Sequence, residues 1–210
     1  MSRRDCLFLV ADKNMEATFC GFLERDRFNE KLGCARFEFD PRKDLVVAAG
    51  QNDPGMFIRG HELARTYQET HRFLVFALDE QWEGSPGARA IREHVGANLE
   101  RNGWSAQRHL VLVLTPELES WTLFESPHIA NELGFREYRT WLANAGMWCL
   151  ESPKPAAPKE ALEQVLKKSR IPRSSSLYGR IARKISVRGC QDPSFGELKE
   201  RLSRWFPPEL

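Results

Sequence analysis

Apolar residues gather in four short runs, and the stretches between the runs carry helical spacing. Cys6–Ala11, Arg72–Leu78 and His109–Leu114 are continuous apolar runs and read as buried strands. Arg36–Phe39 alternates Arg-Phe-Glu-Phe and reads as a strand stopped by Asp40-Pro41. Met15, Phe19, Phe22 and Leu23 predict a helix over 15–23, His61–Thr70 reads as a second, and Ala88–Asn102 as a third that ends at Gly103. Residues 50–56, GQNDPGM, read as a turn-rich loop, and Pro116-Glu117 as the opening of a further helix. Strand and helix thus alternate, and continuous apolar strands are those buried on both faces. The fold class is α/β, a mostly parallel central sheet with helices on both faces.

Past Leu150 the pattern changes. Three prolines between 153 and 158 suggest an extended crossing, followed by a helix over Ala161–Lys168 and a polar, basic stretch over 174–190. The segment 192–206 reads as an amphipathic helix capped by Asp192 or Ser194, with Phe195, Leu198, Leu202 and Trp205 or Phe206 as its apolar stripe. The expected organisation is an α/β domain over 1–150 and a basic, helical extension over 151–210 packed on it.

Composition narrows the picture only a little. The 210 residues are 41% hydrophobic and 29% charged with a formal net charge of +2, ordinary values for a globular chain. The five scattered cysteines have no C-x-x-C pair, which argues against a thiolate zinc site and for a reducing compartment. The basic start MSRRDCLFLV has too short an apolar run for a signal peptide. No stretch reaches the roughly 18 apolar residues of a membrane span, so the expectation is a cytoplasmic protein with no membrane partner. The five histidines lack paired-ligand spacing, and no P-loop, dinucleotide-binding or nucleophile-elbow motif occurs.

Charge placement is more informative. Ligands of open parallel sheets bind just past the carboxyl ends of the strands. Three such ends carry acid: Asp12, with Glu16 four residues on; Asp79 and Glu80, with Glu83 beyond; and Glu117 and Glu119. Each has a simpler reading, because acids near helix N-termini are favoured by roughly 0.3–1 kcal/mol. Thr115 as N-cap with Pro116 and Glu117 in the first turn would account for Glu117. Alternation along the strand points Asp79 and Glu80 different ways. Together, carboxylates converging within about 4–6 Å need a cation, and Mg²⁺ held by carboxylates and substrate phosphate is the natural one. The second constellation is basic. Ten Lys/Arg against two acids lie between Lys154 and Arg188, and Arg180, Arg183 and Lys184 would share a helix face. Lys167, Lys168, Tyr178, Arg180, Arg183, Lys184 and Arg188 are the candidate nucleic-acid-binding residues, Tyr178 either stacking on a base or packing.

Asp12…Glu16, Asp79-Glu80-Gln81 and Pro116-Glu117-Leu118-Glu119-Ser120-Trp121 resemble the E-G-x-x-E, D-x-D and P-E-x-E-[AS]-W motifs of Toprim-like proteins. The likeness is to the small Toprim-like families among bacterial phage-defence genes, methylation-associated defence systems included. It spans roughly residues 5–206. The resemblance implies a Toprim-like fold and a Mg²⁺-dependent, nuclease-like site. Glu16 and Asp79 would be catalytic. Asp12, Glu16, Asp79, Glu80, Glu117 and Glu119 would be available to the metal. Nucleic acid and other defence-system subunits would be the partners. The chain departs from the pattern in having Asp12 for Glu, Lys13 for Gly and Gln81 for the second Asp. These departures motivate a second reading, a catalytically decayed scaffold subunit of a defence complex. A nucleotide sensor using the same crevice is a third.

Overall fold

In a computed structural model of the chain, residues 3–48, 50, 52–187, 190 and 192–208 are described. In chain order the elements are β1 (Arg4–Val10), α1 (Lys13–Leu23), α2 (Phe28–Leu32), α3 (Pro41–Asp44), β2 (Leu45–Val47), α4 (Asn52–Arg65), β3 (His71–Asp79), α5 (Ala88–Arg101) and β4 (His109–Leu114). Beyond the sheet come α6 (Glu119–Thr122), α7 (Pro127–Glu132), α8 (Tyr138–Asn144), α9 (Pro158–Ser169), α10 (Ser175–Lys184) and α11 (Pro193–Trp205). The four strands are all parallel in the order β2-β1-β3-β4, with Phe8 opposite both Leu45 and Val75, and Val75 opposite Leu110. The fold is α/β, as the continuous apolar runs require.

The two faces are covered by different helices. Phe8 meets Phe19 of α1 at 5.5 Å between ring centroids, and Phe73 stacks on Trp205 of α11 at 4.7 Å. Phe76, of opposite parity to Phe73, lies against Gly60 of α4, where a Cβ would stand only 2.5 Å from its ring. Leu74 to Leu78 are therefore fully buried without alternation. On the first face Trp121 of α6 joins three elements, with ring centroids 5.9 Å from Phe19, 6.2 Å from Phe22 and 5.2 Å from Phe195. Of the helices beyond residue 150, α11 packs on β4, α10 lies along α1, and α9 packs against α6 and α8.

Three local expectations are corrected. Arg36–Phe39 is extended, with Phe37 buried and Phe39 half-buried against Phe8, yet it joins no strand. The Glu38 N–H donates to the Asp5 carboxylate, and the strand that pairs with β1 is Leu45–Val47. Alternation reported which side chains are inward; the backbone's hydrogen bonds went elsewhere. Residues 52–56 are the start of α4 rather than a loop. Pro54 sits in the first helical turn, where no N–H is needed, and Asp53 beside it suits the helix dipole. Pro116 does not open a helix: α6 begins at Glu119, with Leu118 at its N-cap and no side-chain cap.

At the N-terminal edge of the sheet a buried acid ties three elements together. Asp44, fully buried, accepts from Nε and Nη2 of Arg4 and lies 3.2 Å from His71 Nε2. Burial by itself would raise its carboxyl, but the hydrogen bonds from Arg4 and His71 hold it down at about 2.

Candidate functional site

The strand order reverses between β1 and β3, since the chain goes from β1 outward to β2 and then crosses back to β3. A crevice between two neighbouring crossovers forms at such a point, at the carboxyl ends of the strands. Asp12 follows β1 and Asp79 ends β3, so both flank it.

Each carboxylate also has work to do in the fold. Asp12 caps α1, its Oδ1 accepting from Asn14 N and Met15 N, both at 2.8 Å. Glu16 pairs with Lys13 at 2.8 Å. The Oδ1 of Asp79 accepts from Leu118 N at 2.8 Å, which pins the β4–α6 turn to the end of β3. Glu80 turns the other way, as strand alternation requires, and accepts from Ala88 N at the start of α5. Glu83 is exposed. Glu117 Oε1 accepts from Lys159 N at 2.7 Å, so its carboxylate serves the N-terminus of α9 and not that of α6. Glu119, 2% exposed, receives the Tyr178 hydroxyl and Arg173 Nη2, the latter at 2.7 Å.

One acid was illegible in the sequence. Asp53, in the first turn of α4, accepts the backbone N–H of Asp79 at 2.8 Å. Its only signal was an acid in NDPG, a string whose composition reads as a turn. With β2 assigned to Arg36–Phe39, nothing linked that acid to a strand exit.

The electrostatics tie these residues into one group. Burial pushes the Asp79 carboxyl well above the usual carboxylate range, and the charges of Asp53, Glu119, Asp12 and Glu117 push it further, in that order. Asp53 is raised by burial and by Asp12, against its hydrogen bond from Asp79 N. Glu117 is raised by burial and by Glu119, against the hydrogen bond from Lys159 N. The Lys159 ammonium pulls both Asp53 and Glu117 the other way. Asp53, Glu119, Asp12 and Glu117 thus all bear electrostatically on Asp79, while Glu16 and Glu80 are engaged with Lys13 and α5.

Among the described residues no three His, Cys, Asp or Glu side chains form a ready-made metal cage. That does not disqualify Mg²⁺, which keeps several waters and is usually held by one or two carboxylates plus substrate phosphate. The donor chemistry, carboxylates from separate elements bearing on a buried Asp79, fits such an ion.

The basic residues fare differently. Tyr178 is fully buried with its hydroxyl on Glu119, so it packs and does not stack on a base. Replacing it with Phe leaves buried Glu119 with Arg173 alone; a loss of about 1–3 kcal/mol is expected, read from the urea midpoint. Arg180 and Lys184 converge on Glu132, and Arg183 pairs with Glu24. These α10 cations are about half exposed, and ion pairs of that kind exchange readily with phosphate. Lys167 and Lys168 are exposed on the last turn of α9, and Arg188 lies outside the described residues.

No protein-family model, no curated protein and no solved structure matches the chain. Among the described residues no helix is long and apolar enough to cross a membrane.

Proposed function

We propose that the chain is a Toprim-like protein of bacterial phage defence whose crevice between β1 and β3 holds Mg²⁺ and acts on a nucleic-acid phosphodiester. The observation that carries this reading is Asp79, a buried carboxyl at the end of a central parallel strand on which four further carboxylates bear. Such a group either keeps its proton or is neutralised by a cation. The residues that would hold the ion are Asp79 with Asp53 and Asp12. Asp53 supplies the second carboxylate that Gln81 withholds from the D-x-D pattern. When bound, Mg²⁺ supplies positive charge against the charge that develops on the phosphoryl oxygens. Lys159 bears on both Asp53 and Glu117, and Lys167 and Lys168 stand free on the same helix to meet a phosphate backbone.

A second reading, an interaction subunit with a decayed site, is favoured by a specific observation. Each of the five carboxylates already accepts a hydrogen bond from the chain itself. Calorimetric titration with Mg²⁺, paired with incubation of single- and double-stranded DNA and RNA in Mg²⁺ or Mn²⁺, separates the two. Micromolar-to-millimolar binding and cleavage, both lost in Asp79→Ala, are expected for the metal site. Absence of both leaves the scaffold.

A further inference from the structure

Two cavities lie side by side between the β4 exit and the start of α11. One, of about 490 Å³, is walled by Trp121, Phe124, Pro153 and Pro193. The other, of about 420 Å³, runs from Thr115 and Pro116 to Gly146, Met147 and Ser152. Each is the size of a small-ligand site. Ser120, Lys154 and Asp192 line both, so the Lys154–Asp192 ion pair is the wall between them.

The two halves of that wall are unequally fixed. Asp192 caps α11, and its Oδ1 accepts from Trp121 Nε1 at 3.1 Å, Ser194 N at 3.0 Å, the Ser194 hydroxyl at 2.5 Å and Phe195 N at 3.3 Å. The Lys154 ammonium reaches only its Oδ2, at 2.7 Å, and the lysine side chain is 23% exposed. Removing Lys154 therefore leaves Asp192 with four donors and the positive end of a 13-residue helix. The ammonium is the exchangeable partner, and a ligand that spans both cavities must take it.

The second cavity also reaches the exit of β3. Its lining residue Pro116 accepts, through its carbonyl, the N–H groups of Glu80 at 3.2 Å and Gln81 at 3.0 Å, the two residues after Asp79. Half-buried Phe124 in one cavity and Met147 in the other offer apolar surface to a base.

We propose that the paired cavities are a track for single-stranded nucleic acid, one nucleoside in each, with the linking phosphodiester on the Lys154 ammonium in place of Asp192. The choice of nucleic acid rests on the phosphodiester reading of the crevice; the exchangeable cation between two cavities does not. An apolar wall with one cation at each phosphate is the general form of sequence-tolerant single-strand binding.

The test is calorimetric titration of the full chain, in EDTA, with the thymidine dinucleotide pTpT and with hexathymidylate. Binding that weakens with salt is expected. Lys154→Met weakens it about ten-fold and Lys154→Arg restores most of the loss. Ala156→Trp, at an exposed position lining the second cavity, fills that cavity and abolishes dinucleotide binding. It carries the test should Lys154→Met fail to fold. No binding of either strand, or binding unchanged in both Lys154→Met and Ala156→Trp, overturns the track. Hexaglutamate binding as tightly as hexathymidylate overturns nucleic acid as the occupant. Because EDTA removes the metal, Lys154-dependent binding without any cleavage leaves the track standing and removes the catalytic reading of the crevice. Asp79-dependent cleavage without EDTA-resistant binding does the reverse.

Discussion

Gly21→Ala is expected to lower the melting temperature by about 2–12 °C, against the usual direction for a helix interior. Alanine normally improves a helix over glycine by about 0.5–1 kcal/mol. Here α1 and α10 cross at backbone contact. A Cβ on Gly21 would stand 2.6 Å from the Ala182 Cβ and 2.7 Å from the Gly179 carbonyl oxygen. Neither atom is the end of a flexible side chain, so the helices must separate. The separation reaches the core through Leu177, Tyr178, Ile181 and Ala182, all buried on α10. Overpacking of this kind costs about 1–3 kcal/mol, each worth roughly 2–4 °C at this chain length. Gly196→Ala in α11 is the control: nothing lies within 4 Å of its Cβ position, and it is expected to stabilise by about 0.5–1 kcal/mol. A Gly21→Ala protein that melts with or above the parent would show that the two helices do not meet this way.

Asp79→Asn is expected to stabilise the protein at neutral pH while abolishing metal-dependent chemistry. The folded-state carboxyl is raised above its ordinary value of 3.8 by burial and then by Asp53, Glu119, Asp12 and Glu117. Between the unfolded and folded pKa values the folded chain holds a proton that the unfolded chain has released. Stability therefore falls as pH rises through that window, and it stays reduced above the folded pKa. Asn cannot ionise, and its carbonyl oxygen can still accept from Leu118 N. The variant and the parent should melt together near pH 3.5 and diverge upward from there, the variant higher. Asp53, raised by burial and by Asp12, loses a neighbouring like charge in the same variant. In Mg²⁺ the order reverses. The parent gains stability by ligand linkage, the variant does not, and cleavage falls by at least about a hundred-fold. Thermal melts from pH 3.5 to 8.5, with and without Mg²⁺, read every part of this. A variant less stable than the parent at pH 8 would mean that the Asp79 carboxylate is already neutralised within the fold.

The continuous apolar runs were legible because strands covered on both faces must be apolar at every position; His109–Leu114 is β4 to the residue. The helix before Gly103 and the Asp192 cap were legible because end signals are local. Strand alternation foretold that Asp79 and Glu80 diverge. β2, only Leu45–Val47, is too short to show a period, and its misplacement hid Asp53.

The amino-acid order thus determined an α/β fold and which residues turn inward, since burial period is a property of neighbouring positions. The packed chain decided everything that depends on partners far away in sequence. Glu117 caps α9 and not α6, Glu119 anchors Tyr178 and Arg173, and the α10 cations find Glu132 and Glu24, up to 159 residues distant. A charge names its own chemistry, but the neighbour that satisfies it is fixed only when separate elements pack together.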